Sequence, residues 1–119
     1  MKIESRLGIV DCRDIDDIEK IIMECSIGLN EICVFGESEY PYMTISVNQE
    51  KAVLHYFKSE QCSQSFGNNY ANNDTEFFAG GEVWNAPGEV VIPLSSAIES
   101  VKQFFKTQER PTCIKWNEL

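Results

Sequence analysis

One histidine and five cysteines stand among 119 residues, and they bound any catalytic chemistry. His55 sits between Leu54 and Tyr56 in an apolar run, so it is either a solvent-face strand residue or a satisfied core residue. A hydrolase would need His55 exposed in a pocket beside a carboxylate or a thiol. No convincing nucleophile or partner accompanies it in the sequence. Cys12, Cys25, Cys33, Cys62 and Cys113 are odd in number, scattered, and without a C-x-x-C pair. That argues against a disulfide framework and against zinc, and for reduced thiols in a cytoplasmic protein. The word Asp14-x-Asp16-Asp17 has carboxylates but lacks the glycine and distal glutamate of a calcium loop. Gly80-Gly81 is too short to cradle phosphate. No metal-protease, P-loop or serine-hydrolase motif is present. Acids are so plentiful that no pair of them points to glycosidase chemistry. The expectation is a protein with no catalytic residue, no metal and no cofactor.

Net charge is −9 and unevenly placed. Residues 1–50 hold eleven acids against four bases, and residues 51–119 hold eight against six. Such a field repels nucleic acid and anionic membrane and attracts basic partners. Lys102, Lys106 and Arg110 lie near one another, but they complement a helix end more readily than they bind phosphate against that net charge. No apolar run approaches the ~20 residues of a membrane span, and no signal-like segment follows Met1 to Arg6.

The elements that must position any site read as follows. Ile15, Ile18, Ile22, Cys25 and Leu29 recur at helical spacing, which predicts a helix over Asp14 to Leu29. Asp14 is its expected N-cap, and Gly28 suits its far end. Three strand-like runs follow: 31–35, 42–47 and 52–57. In the second, Tyr42, Thr44 and Ser46 alternate with Met43, Ile45 and Val47, the pattern of a half-buried antiparallel strand. Residues 48–51 make a hairpin turn between the second and third runs. From Ser59 to Asp74 the pattern dissolves, which predicts a long loop. Thr75 to Ala79 resumes a strand ended by Gly80-Gly81, Glu82 to Trp84 is a further piece, and Val90-Val91-Ile92 is a short apolar run. Ser95 or Ser96 is the expected cap of a second helix, with Ser96 and Glu99 as a capping box. Ala97, Ile98, Val101, Phe104 and Phe105 form its buried stripe, and Arg110-Pro111 stops it. A last strand is expected over Cys113 to Trp116. The fold class is α+β: one domain over residues 1–119, an antiparallel sheet with two main helices packed against it.

With catalysis set aside, a binding surface remains. Glu37, Glu39, Tyr40 and Tyr42 pair acids with aromatics in and beside the turn at 36–41. Glu60, Phe66, Tyr70 and Asp74 do the same in the long loop. Aromatics anchor interface centres, and acids steer a basic partner. These eight residues are the candidate partner-binding set.

The C-terminal half carries a resemblance. Gly80-Gly81-Glu82-Val83, Val90 to Leu94, Val101-Lys102-Gln103-Phe104-Phe105 and Thr107-x-Glu109-Arg110-Pro111, ending in Ile114-x-Trp116, resemble immunity protein family one of bacterial polymorphic toxin systems. The likeness covers roughly residues 75–119, and upstream only the order of elements is similar. It implies a cytoplasmic, non-enzymatic inhibitor that occludes the active site of a cognate toxin as a 1:1 heterodimer. The implied toxin is basic and acts on nucleic acid, a deaminase ahead of a nuclease. Phe104, Phe105, Arg110, Pro111 and Trp116 read as structural, so the resemblance assigns them no binding role. The competing reading is an acidic DNA mimic or adaptor that binds a host nucleic-acid enzyme.

Overall fold

A computed structural model describes residues 1–67, 70 and 73–119 of the chain. Residues 68, 69, 71 and 72 of the expected long loop lie outside the described residues. The chain opens with a hairpin, β1 (Lys2–Ser5) and β2 (Gly8–Asp11), whose tight turn uses Gly8 at φ 104°. Helix α1 (Ile15–Cys25) follows, and the Asp14 side chain caps it by accepting the Asp16 N–H at 3.0 Å. It ends earlier than Gly28. Ser26 is the C-cap, its N–H donating to the Ile22 carbonyl, and Asn30 Nδ2 donates to the Cys25 carbonyl at 2.7 Å. With the Ser26 N–H and the Asn30 side chain satisfying these carbonyls, no left-handed glycine is needed.

Strands β3 (Asn30–Phe35), β4 (Tyr42–Asn48) and β5 (Lys51–Phe57) form the expected meander. The next element corrects the reading of 59–74 as loop, because Cys62–Phe66 is a strand, β6. Its inward residues are Ser63 and Ser65, so it carries no apolar alternation. Ser63 Oγ accepts from Arg110 Nη1 at 3.1 Å, and Ser65 Oγ donates to the Val90 carbonyl at 2.7 Å. Buried hydroxyls so partnered support a strand that hydrophobicity cannot mark.

Strands β7 (Thr75–Ala79) and β8 (Glu82–Ala86) close a two-residue hairpin through Gly80 and Gly81, both at positive φ. The run 90–92 is split between a 3-10 turn (Gly88–Val90) and a two-residue strand, β9 (Ile92–Pro93). Helix α2 (Leu94–Thr107) begins ahead of Ser95, with Pro93 as N-cap, so the expected serine cap and capping box do not form. The Leu94 N–H instead donates to the Glu50 carbonyl at 2.8 Å, because β9 pairs with β5 and brings that carbonyl to the helix start. Gln108, at φ 57°, closes α2. The last strand, β10, runs Lys115–Glu118, two residues later than expected.

The main sheet is antiparallel in the order β10-β6-β5-β4-β3-β1-β2, with β9 joined to β5. Both helices pack on one face. Ile18, Ile22 and Cys25 of α1 and Ala97, Val101 and Phe104 of α2 bury against Ile32, Val34, Met43, Ile45, Val47 and Leu54. Lys102 of α2 pairs with Glu19 of α1 at 2.7 Å across the helix contact. The arrangement is the α+β architecture that the apolar patterns required.

The β7–β8 hairpin forms its own two-stranded sheet and lies on the opposite face, over β3 and β4. Phe77 and Ala86 bury there against Val53, Val90 and Val91. The hairpin therefore buries Thr44 and Ser46, which alternation alone placed on a solvent face. It covers only one end of that face.

Candidate functional site

Three side chains near the uncovered end of the face come from strand positions of the same parity. Register aligns Phe35 with Tyr42 and Tyr42 with Phe57, so three aromatic residues on adjacent strands make one row. The rings stack: Phe35 and Tyr42 have centroids 5.4 Å apart, Tyr42 and Phe57 4.5 Å apart. Neighbouring strands are spaced ~4.8 Å apart, which is what lets same-row rings lie face to face. Tyr40 folds back from the preceding turn to within 5.7 Å of Tyr42. One residue pair along the strands, the register continues Cys33, Thr44, His55, Gln64.

These rows line an open cavity of about 600 Å³. Its walls are Phe35, Tyr40, Tyr42 and Phe57 on one side and Ala79 and Gly80 at the hairpin tip on the other; Cys33, Thr44 and His55 also line it. Two carboxylates, Glu31 and Glu39, join the lining. Glu31 also fastens the hairpin: its two oxygens accept the Gly80 N–H at 3.2 and 3.3 Å. Asn48 Nδ2 donates to the Glu76 carbonyl at 3.0 Å and holds the hairpin further along.

Burial dominates the electrostatics of this cup. It raises the Glu31 carboxyl above the usual 4.5, partly offset by the Gly80 N–H. It pushes the Cys33 thiol up to about 11, with Glu31 and Glu4 adding in the same direction. It raises the Tyr42 phenol, with Tyr40 contributing next. It lowers His55 below 6.5. Gln64 Nε2–H donates to His55 Nε2 at 3.0 Å, the arrangement for a neutral ring with its proton on Nδ1.

The cup does not bring Cys33 and His55 together as a nucleophile and its base. Thr44 stands between Cys33 and His55 in the register, so their backbones lie two strand spacings apart, roughly 10 Å. A nucleophile and its base need direct hydrogen-bond reach, and a thiol this basic stays protonated near neutral pH. Among the described residues no cluster of three or more His, Cys, Asp or Glu side chains could hold a metal ion. Among the described residues no helix is long and apolar enough to cross a membrane.

His55 yields a prediction with a definite sign. Its folded pKa lies below the unfolded value, so the unfolded chain binds the extra proton. Stability is therefore expected to fall as pH drops through about 6.5 toward the lowered value. Glu31, raised, acts oppositely at lower pH, where protonation favours the native state. Urea unfolding from pH 8 down to pH 5.5 should show a weaker decline in His55→Gln than in the unaltered chain. Parallel pH profiles would show that His55 is not desolvated.

Of the eight candidate residues, the structure brings together three: Glu39, Tyr40 and Tyr42. Glu37 lies apart, in a shallow depression with Lys2, Asp11 and Phe105. Glu60 is exposed in the β5–β6 turn, and Asp74 is exposed just before β7. Phe66 ends β6 beside Lys115 and lines a depression with Arg110 and Trp116. Tyr70 packs toward the Phe77 cluster, with Lys51 Nζ 4.9 Å from its ring centroid. Sequence reasoning left out Glu31, Cys33, Phe35 and Phe57. The available signal was positional: Phe35, Tyr42 and Phe57 each end or begin a strand next to a turn.

Comparison with known proteins bears on most of the chain. Residues 15–118 match the family described as Immunity protein Imm1. Over 93 residues the chain is 32% identical to a double-stranded DNA deaminase immunity protein of Burkholderia cenocepacia (strain H111), covering 76% of this chain and 75% of that protein. The likeness thus reaches upstream of residue 75, through the helix and meander that carry the cup. On this evidence the chain belongs to the Imm1 family of immunity proteins.

Proposed function

We propose that this chain protects its cell by binding a cognate toxin through the open end of the sheet face and occluding the toxin's active site. The observation that carries this reading is the cup: stacked aromatic rings beside two carboxylates, left uncovered by the hairpin that closes the rest of the face. Half-buried aromatics at the centre of a patch are the side chains that dominate association energies. A net charge of −9 suits a basic, nucleic-acid-acting partner and accelerates its encounter. The name of the Burkholderia relative favours a deaminase over a nuclease as that partner. Inhibition needs one chain per toxin domain, acts in the cytoplasm, and involves no turnover by this protein.

The test is to purify native complexes from the source bacterium with this chain as bait, then assay the captured protein. The expected result is a basic domain recovered at one-to-one stoichiometry. Its deaminase activity on nucleic acid should be fully suppressed by one equivalent of this chain. Recovery of only a housekeeping nucleic-acid enzyme would favour the adaptor reading. A captured toxin that stays active in the complex would overturn active-site occlusion.

A further inference from the structure

We propose that the cup is a receptor for one arginine side chain of the partner protein. The inference rests on the toxin-binding reading and specifies the chemistry of the contact.

The lining selects by charge. Glu31 and Glu39 contribute carboxylates, and no lysine or arginine is among the lining residues. An anionic group would meet two like charges. Glu31 is half-buried; among the described residues the polar partner of its carboxylate is the neutral Gly80 N–H, and none of the ion pairs includes it. Its raised pKa has the same origin, a carboxylate removed from water without a cation beside it. A purely apolar occupant would desolvate that carboxylate further and leave it uncompensated. A cation supplies what is missing.

The lining also selects by shape. Phe35 and Phe57 stack on Tyr42 from either side, so both faces of the central ring are occupied. The row therefore acts as an apolar wall, and charge recognition falls to the carboxylates. A long side chain with an aliphatic stem and a charged head matches this division: methylenes along the aromatic wall beside Glu39, head toward Glu31 at the hairpin tip. Arginine fits better than lysine, because its planar fork can set two parallel N–H donors on the half-buried Glu31 carboxylate, where lysine brings a point charge. A cavity of about 600 Å³ has room for such a side chain.

The test uses short peptides and needs no toxin. Acetyl-Gly-Arg-Gly-amide is titrated into the isotopically labelled chain and followed by NMR. Analogues with lysine or with citrulline, the uncharged isostere of arginine, are titrated alongside. The expected result is saturable shifts confined to the backbone amides of Cys33, Thr44, Tyr42 and Gly80. At peptide concentrations up to about 50 mM, citrulline should bind at least roughly tenfold more weakly, with lysine between. The double variant Glu31→Gln with Glu39→Gln should lose the preference for arginine over citrulline while keeping its fold, since glutamine can still accept the Gly80 N–H. Equal response to citrulline, shifts scattered over the acidic surface, or no saturable binding would each overturn the proposal. Failure here with a toxin captured and inhibited leaves the toxin reading standing. Arginine binding in the cup with no toxin captured overturns the toxin reading alone.

Discussion

Phe104→Ala is expected to lower the unfolding free energy by about 3–5 kcal/mol, the range for deleting a fully buried phenylalanine. Phe104 has no exposed surface, and α2 seats on the sheet through it. Its ring meets Tyr56 edge-on at 6.1 Å, and Tyr56 in turn lies 6.2 Å from Trp116. Removing the ring opens a cavity between helix and sheet that neighbours on a hydrogen-bonded strand cannot relax to fill. Domains of this size are typically stable by only ~5–15 kcal/mol, so the loss is a large part of the total. Urea unfolding followed by circular dichroism is the measurement: the midpoint should fall with the denaturant slope unchanged. Phe105, only partly buried beside it, should cost distinctly less on the same substitution. A loss below about 1 kcal/mol for Phe104→Ala would mean that α2 does not pack through this residue.

Tyr42→Ala is expected to weaken the toxin complex by about 100- to 1000-fold, the effect of removing a central aromatic anchor. Tyr42 is the middle ring of the row and touches Phe35, Phe57 and Tyr40. Its loss breaks the wall of the cup at the centre. Because it sits on the helix-free face, outside the buried core, the fold should survive with a loss of no more than about 1–2 kcal/mol. The effect should fall chiefly on dissociation, as it does for anchors in packed contacts. Acids far from the cup should behave differently. Glu37→Gln and Glu60→Gln should slow association in a salt-dependent way and leave dissociation nearly unchanged. Surface plasmon resonance against the captured toxin domain separates the two rates. Binding by Tyr42→Ala within about twofold of the unaltered chain would remove the cup from the interface centre.

Both helices, the three-strand meander and the α+β class could be read from residue order, because each depends on periodicity within a few turns or strand residues. Ile15, Ile18, Ile22 and Cys25 need only each other to declare a helix, and Asp14 caps it from the adjacent position. The C-terminal words that resemble the immunity family are of the same kind: a helix stripe, a proline stop and a strand. Strand β6 escaped because its inward residues are serines, whose fit depends on Arg110 and Val90 brought in from elsewhere. The cap of α2 escaped because its first N–H is satisfied by Glu50, 44 positions upstream in the numbering.

The candidate site shows the same division. Glu39, Tyr40 and Tyr42 were recognisable as an acid–aromatic cluster because they are neighbours in the chain. Alternation could assign Phe35, Tyr42 and Phe57 each to a face, but it carries no information about which strand positions align. Register between β3, β4 and β5 made them one row, and the hairpin docked by Gly80 on Glu31 decided which part of that row stays open. Composition settled the sign of the protein's charge, and local periodicity settled the two helices and the three-strand meander. The cup, its two carboxylates and the removal of Phe66, Tyr70 and Asp74 to other surfaces were decided by tertiary packing, because contacts between residues distant in the chain leave no periodic mark within it.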